Sequence, residues 1–177
     1  MRHARKKLLI VDGYNVLNAW RSGLDNRSLA DARDELAHKL MDYAGYTGTK
    51  VVLVFDAWMS DRMQRTCEQM GPLTVVFTQK NETADHYIER LCDDHAREVE
   101  YGRLEIEVAT SDNVEQTVVL GRGARRVSSR ELLREMESVR KEGSQSVKAQ
   151  VVRSKSTVMD RLPEAIRRQL DEMRKGR

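Results

Sequence analysis

Cysteine and proline are nearly missing from this chain, with two of each among 177 residues. Two thiols, Cys67 and Cys92, cannot build a disulfide framework, and neither lies in a C-x-x-C pair or a Cys/His cluster of zinc-ligand spacing. Both read as buried or idle thiols, which suits a reducing compartment. Ten glycines and two prolines are too few for a collagen-like or Pro-rich disordered chain. Long apolar runs are also missing, and the mean hydropathy of −0.64 excludes a helix of about 20 apolar residues crossing a membrane. The opening Met1 to Lys7 is basic like a signal n-region, but the apolar stretch behind it, Leu8 to Val11, is too short for one and runs into Asp12. The expectation is a cytoplasmic protein with no membrane partner. Aromatic residues make up only 5%, so a nucleic acid would find few rings for base stacking.

What the chain does have is 40% hydrophobic and 33% charged residues, a balance that predicts one soluble domain around one core. The net charge of +3 hides an uneven split. Residues 1–120 carry 15 Lys/Arg against 20 Asp/Glu, net −5, whereas residues 121–177 carry 16 against 8, net +8. A basic C-terminal third points to a polyanionic partner or to a solvated helix face.

Short apolar runs at Leu8–Val11, Val51–Phe55 and Leu73–Phe77, then Leu104–Ala109, alternating at first and then apolar, and a weak Ala124–Val127, read as about five strands of a sheet buried on both faces. Between them lie helical patterns. Ser28 caps one that carries Leu29, Ala32, Leu36, Leu40 and Tyr43 and ends at Gly45 or Gly48. Thr83 or Asn81 caps a second, with Ile88, Leu91, Cys92, Ala96 and Val99, ending near Gly102. Asn113 to Leu120 fits a short helix, and Ser128-Ser129-Arg130-Glu131 is a capping box for a helix through Leu132, Leu133, Met136 and Val139. Gly13 begins a turn, and Gly71-Pro72 is punctuation before the third strand. Strands alternating with helices predict an α/β fold, three-layer α/β/α around a mainly parallel sheet. The domain is placed at residues 1–140. Residues 141–177 form a basic linker around Gly143 to Ser146 and a C-terminal helix begun by Pro163, packed on or extending from the same domain.

Ligands of an open parallel sheet bind beyond the carboxyl ends of its strands. Acids fall there: Asp12 ends the first strand, Asp56 the second, Asp112 lies just past the fourth, and Asp85 opens the helix after the third. All four are expected on one rim. Taken singly, each has a structural use as a cap or turn former, and Asp56 reads equally as a loop cap. Gathered together they repel, by about 4 kcal/mol for a pair 4 Å apart at an effective dielectric near 20. A hard divalent cation, Mg2+ or Mn2+, offsets that repulsion and supports in-line attack at a phosphoryl group. Asn15 could orient the attacking water or hold a phosphate oxygen, or close an Asx turn; Tyr14 could stack on a base or pack in the core. Ser111 could serve the cation or bond the backbone. His86 and His95 are placed on a helix surface, and Met59, Met63 and Met70 in packing.

The strings Leu9-Ile10-Val11-Asp12-Gly13-Tyr14-Asn15, Val54-Phe55-Asp56-Ala57, Phe77 through Asp85 and Ala109-Thr110-Ser111-Asp112, continuing to Gly123-Ala124-Arg125-Arg126 and Ser129 to Glu135, together resemble the NYN domain family, a branch of the PIN-like nucleases, and within it the YacP-like members. The resemblance covers about residues 8 to 140. It implies a PIN-like fold and metal-dependent endoribonuclease activity, and for YacP-like members cleavage of messenger RNA in the A site of the translating ribosome. By motif match Asp12, Asp85 and Asp112 carry over as metal-binding acids and Asn15 as their polar partner. The basic residues Arg122, Arg125, Arg126 and Arg130 would then hold RNA phosphates or ribosomal RNA. A haloacid dehalogenase-type phosphatase needs a second Asp two residues after the first, where Tyr14 stands, and a receiver domain needs paired acids and a strand-five Lys that are absent here. The remaining alternative is a catalytically inactive RNA- or ribosome-binding module.

Overall fold

Six strands form one sheet in the order β3-β4-β2-β1-β5-β6, in a computed structural model that describes residues 5–20, 28–57, 64–111 and 123–160, the last fifteen as backbone only. The strands are β1 (Lys6–Asp12), β2 (Lys50–Phe55), β3 (Thr66–Met70), β4 (Leu73–Phe77), β5 (Leu104–Ala109) and β6 (Arg125–Val127). The helices are α1 (Gly13–Trp20), α2 (Leu29–Thr47), α3 (Ala84–Asp94), α4 (Ala96–Glu100) and α5 (Ser129–Asp160). All neighbours pair in parallel except β3 and β4, an antiparallel hairpin at the sheet's edge. The α/β reading is correct and the strand count one short.

Alternation along β1 shows how the sheet is covered. Leu9 and Val11 enter a core built with Val16 and Leu17 of α1, Leu36 and Leu40 of α2, and Leu132 and Met136 of α5. Leu8 and Ile10 enter a second core with Ile88 and Cys92 of α3, alongside Ile106 and Val108 of β5. Every β1 side chain from Leu8 to Val11 is at most 7% exposed, and this explains why the strand reads as an unbroken apolar run.

Local chemistry sets the helix ends. Ser28 Oγ accepts from the backbone N–H of Asp31, Thr83 Oγ1 from that of His86, and Gly48 closes α2 at φ 69°, a conformation that suits glycine. Ser128 and Glu131 form the expected reciprocal capping box: Glu131 N–H donates to Ser128 Oγ, and Ser128 N–H to Glu131 Oε2.

Four expectations change. Gly13 begins the helix α1 and not merely a turn. A Cβ there would sit 2.3 Å from Phe55 Cε1, so only glycine lets the helix start so close to β2. Strand β3 escaped notice because four of its five residues are exposed, and an edge strand wetted on both faces has no apolar alternation. The helix after β4 is two pieces, broken at His95, whose ring is half-buried instead of on the surface. Finally, the backbone stays helical through Gly143 to Ser146, where a linker was expected, and Ser144 Oγ donates to the Arg140 carbonyl one turn back. The chain divides into two units, Met1–Val139 and Arg140–Arg177. The expected helices at 113–120 and after Pro163, together with Met59 and Met63, lie outside the described residues.

Candidate active site

Strand periodicity places the acids before any side chain is considered. Asp12 lies two residues beyond Ile10 and Asp56 two beyond Val54, so both continue the rows that face α3. Helix α3 then begins beside them with Asp85 in its first turn. The result is three carboxylates at the carboxyl ends of β1 and β2. Asp112 and Arg122, assigned from the sequence to the same function, lie outside the described residues.

The electrostatics of Asp12 record the crowding. Burial above all, together with the negative charges of Asp85 and Asp56, pushes its carboxyl up to about 6 from an ordinary value of 3.8. The backbone N–H groups of Asn15 and Tyr14 pull the other way; the Asn15 N–H lies 3.1 Å from Asp12 Oδ1. No cationic side chain of the described residues figures among these influences. Asp56 also caps α3: its Oδ2 accepts from the Ala84 N–H at 3.3 Å.

The loop carrying Asp56 is pinned from the neighbouring strand. Thr78 N–H donates to the Phe55 carbonyl at 3.0 Å, and the fully buried Thr78 Oγ1 accepts from the Ala57 N–H at 2.9 Å. Approaching Asp85, Glu82 binds both Arg65 and Arg90, whose guanidinium groups lie over the Tyr87 ring at 4.9 and 5.5 Å. Burial pushes the Glu82 carboxyl up, but the two arginine hydrogen bonds prevail and hold it below the usual glutamate range.

Asn15 is a tether. Its Oδ1 accepts from the Ser111 N–H at 2.9 Å and from Ser129 Oγ at 3.0 Å, tying the end of β1 to the end of β5 and the start of α5. This tether is a use of the side chain that was not weighed from the sequence. Ser111 meets Asn15 through its backbone. Tyr14 packs edge-on against Phe55 at 5.2 Å, in agreement with the packing reading.

The described basic residues differ in their surroundings. Arg125 and Arg126 are adjacent on β6 and point to opposite faces. Arg125 lies 3.4 Å from Glu107, while Arg126 and Arg130 are exposed. Sequence reasoning missed Arg33, which lies half-buried over Phe55 and Phe77 at the same sheet edge. Only its position four residues before Ala37 in an apolar helix stripe hinted that it faces inward.

Among the described residues, no group of three or more His, Cys, Asp and Glu is disposed to ligate one metal ion, and no helix is long and apolar enough to cross a membrane. A hard cation that keeps its waters needs only one or two carboxylates. Oxygen donors around a half-buried carboxylate with no cationic side chain of the described residues among its influences fit such an ion.

Comparison with known proteins gives one consistent result. The family model described as YacP-like NYN domain matches residues 9–175. The Uncharacterized protein YacP of Bacillus subtilis (strain 168) is 36% identical over 171 residues, covering 96% of this chain and 97% of the relative. The crystal structure of Rae1 (YacP) from Bacillus subtilis aligns with a TM-score of 0.67 at 36% identity, over 96% of this chain and 95% of that one. A single-substitution mutant of the same protein aligns with the same score and identity, over 94% and 99%.

Proposed function

The chain belongs to the YacP-like NYN domain family, a nuclease-type family, and from that membership we propose that it is a metal-dependent endoribonuclease that cuts messenger RNA in the A site of the translating ribosome. The observation that carries the chemistry is that Asp12, at the carboxyl edge of the sheet, is half-buried and feels the negative charges of Asp85 and Asp56, with no cationic side chain of the described residues among its influences. Three negative groups held together by strand register and a helix start disfavour the empty site and favour a cation.

When bound, Mg2+ or Mn2+ supplies positive charge against the phosphoryl oxygens and lowers the pKa of a water. Asp12 and Asp85 would hold it, with Asp56 shared between that task and the α3 cap. Asp112 completes the set by motif match. Asn15 positions these groups: its backbone N–H orients Asp12, and its side chain fixes Ser111, the residue before Asp112. The scissile phosphate would sit beyond the strand ends, where the acids meet. The basic residues after position 120, among them Arg122, Arg126 and Arg130, suit the phosphates of messenger or ribosomal RNA. Arg125 is less available because of its contact with Glu107. Few aromatics leave sequence choice to the ribosome, which presents the codon.

The test uses purified protein with translating ribosomes and with structured RNA, with Mg2+, Mn2+ or chelator, beside Asp12→Asn and Asp85→Asn. Cleavage by the unmutated protein that is lost in chelator and in both variants is the expected result. Cleavage surviving in the variants rejects the mechanism. Binding without cleavage under every metal makes the protein an RNA-binding module.

A further inference from the structure

Arg33 is not explained by the site described above. It lies in the second turn of α2, with its guanidinium carbon 6.0 Å from the Phe55 ring centre and 5.6 Å from that of Phe77. The two rings stack at 5.4 Å and make a flat apolar seat, which orients the guanidinium plane and removes part of its water. Its Nη1 donates to the Tyr14 hydroxyl at 3.3 Å. A guanidinium carries five N–H donors, so most remain unspent. No carboxylate among the described residues pairs with it. Its helix neighbours three and four residues away are Ala30, Leu29, Leu36 and Ala37, none charged. A half-buried arginine that stacks on rings, keeps most of its donors unspent and has no counter-ion among the described residues is prepared for an anion, and a phosphate diester matches its fork.

Its position says which phosphate. Phe55 and Phe77 belong to the core covered by α1 and α2, whereas Asp12 and Asp56 continue the rows facing α3. Yet Tyr14 is two residues past Asp12, and Phe55 directly precedes Asp56. Arg33 and the acids therefore occupy the same carboxyl edge from opposite faces. A strand laid across that edge presents one phosphate to the acids and another to Arg33.

We propose that Arg33, seated on Phe55 and Phe77, grips a non-scissile phosphate of the RNA strand on the far side of the sheet edge from the acids. The assignment rests on the nuclease reading and adds a substrate-binding residue to it. Because the contact is made equally before and during the reaction, its loss raises KM and leaves kcat in place.

Binding of a short fluorescein-labelled single-stranded RNA is measured across a salt series in an Asp12→Asn background, so that the strand is not cut. Adding Arg33→Gln should weaken binding several-fold and reduce the slope of log K against log salt by about 0.7, the loss of one phosphate contact. A set of RNAs each carrying one neutral methylphosphonate linkage then locates the contact. One position should weaken binding to the Arg33 protein and have no further effect once Arg33 is replaced. Arg33→Lys keeps the charge but not the fork and should recover only part of the loss; it also carries the comparison should Arg33→Gln fail to fold. An unchanged slope together with an unchanged methylphosphonate profile overturns the assignment while leaving the nuclease reading intact. If the Asp12→Asn protein binds no RNA even with Arg33 present and the unmutated enzyme cuts none, both fall together.

Discussion

Replacing Asp12 by Asn should make the cation-free protein more stable while removing its activity. In the folded protein the Asp12 carboxyl titrates near 6 against an ordinary 3.8, so between these values the native state holds a proton that the unfolded chain has released. The unfolded state then binds fewer protons than the native one. Stability from this group accordingly falls as pH rises through that window and stays low above it. The difference of about 2 pKa units corresponds to about 3 kcal/mol at neutral pH. Asparagine has no charge to desolvate and keeps an oxygen for the Asn15 N–H. In chelator at neutral pH, Asp12→Asn should unfold at a higher denaturant concentration, by up to about 3 kcal/mol, which for a chain of this size is roughly 6–12 °C in thermal midpoint. Near pH 4 the gap should close, because the native carboxyl is then protonated too. Adding Mn2+ at about 100 times its dissociation constant should raise the unmutated protein by about 2.7 kcal/mol and the variant by far less. Equal midpoints in chelator at neutral pH, or a gap that persists in acid, would refute the picture of a half-buried carboxylate raised by desolvation and neighbouring acids.

Asn15→Ala removes the acceptor for Ser111 N–H and Ser129 Oγ and should cost about 1–3 kcal/mol in urea unfolding, together with weaker Mn2+ binding by titration calorimetry. Gly13→Ala drives a methyl into the Phe55 ring and should destabilise by about 1–3 kcal/mol, read as a lower thermal midpoint; an unchanged midpoint would show that α1 can shift away. Glu82→Gln breaks its pairing with Arg65 and Arg90 at the turn before α3. Since the native Glu82 carboxyl titrates below its ordinary 4.5, its stabilisation is present above that value and lost on acidification, so denaturation curves of the variant and the unmutated protein should differ at neutral pH and converge in acid. Charge reversal at Arg126 and Arg130 should weaken association with ribosomes or RNA in a salt-dependent way, with a smaller effect at Arg125, as sedimentation at low salt would show.

Most of the scaffold is local physics, and local physics is legible in order. Both-face burial turns β1, β2 and β4 into apolar runs, β5 alternates before it becomes apolar, and Ser28, Thr83 and Ser128 satisfy helix N–H groups within three residues of themselves. The acids could be placed on one edge because parallel strands joined by crossovers all end on the same side. What stayed hidden had no local signal. Strand β3 is wet on both faces, His95 breaks a helix whose apolar stripe runs past it, and Gly143 sits in a helix that its neighbours keep going.

The amino-acid order alone settled the α/β class, the strand ends that carry Asp12 and Asp56, and the helix start that carries Asp85, because each follows from periodicity and capping over a few residues. Folding in three dimensions decided the rest: that Asp12 is half-buried near like charges, that Asn15 reaches residues 96 and 114 positions away, and that Arg33 lies on two phenylalanines from different strands. Those features arise from contacts between distant segments, whose strength depends on burial and distance, and neither quantity exists until the chain has closed upon itself.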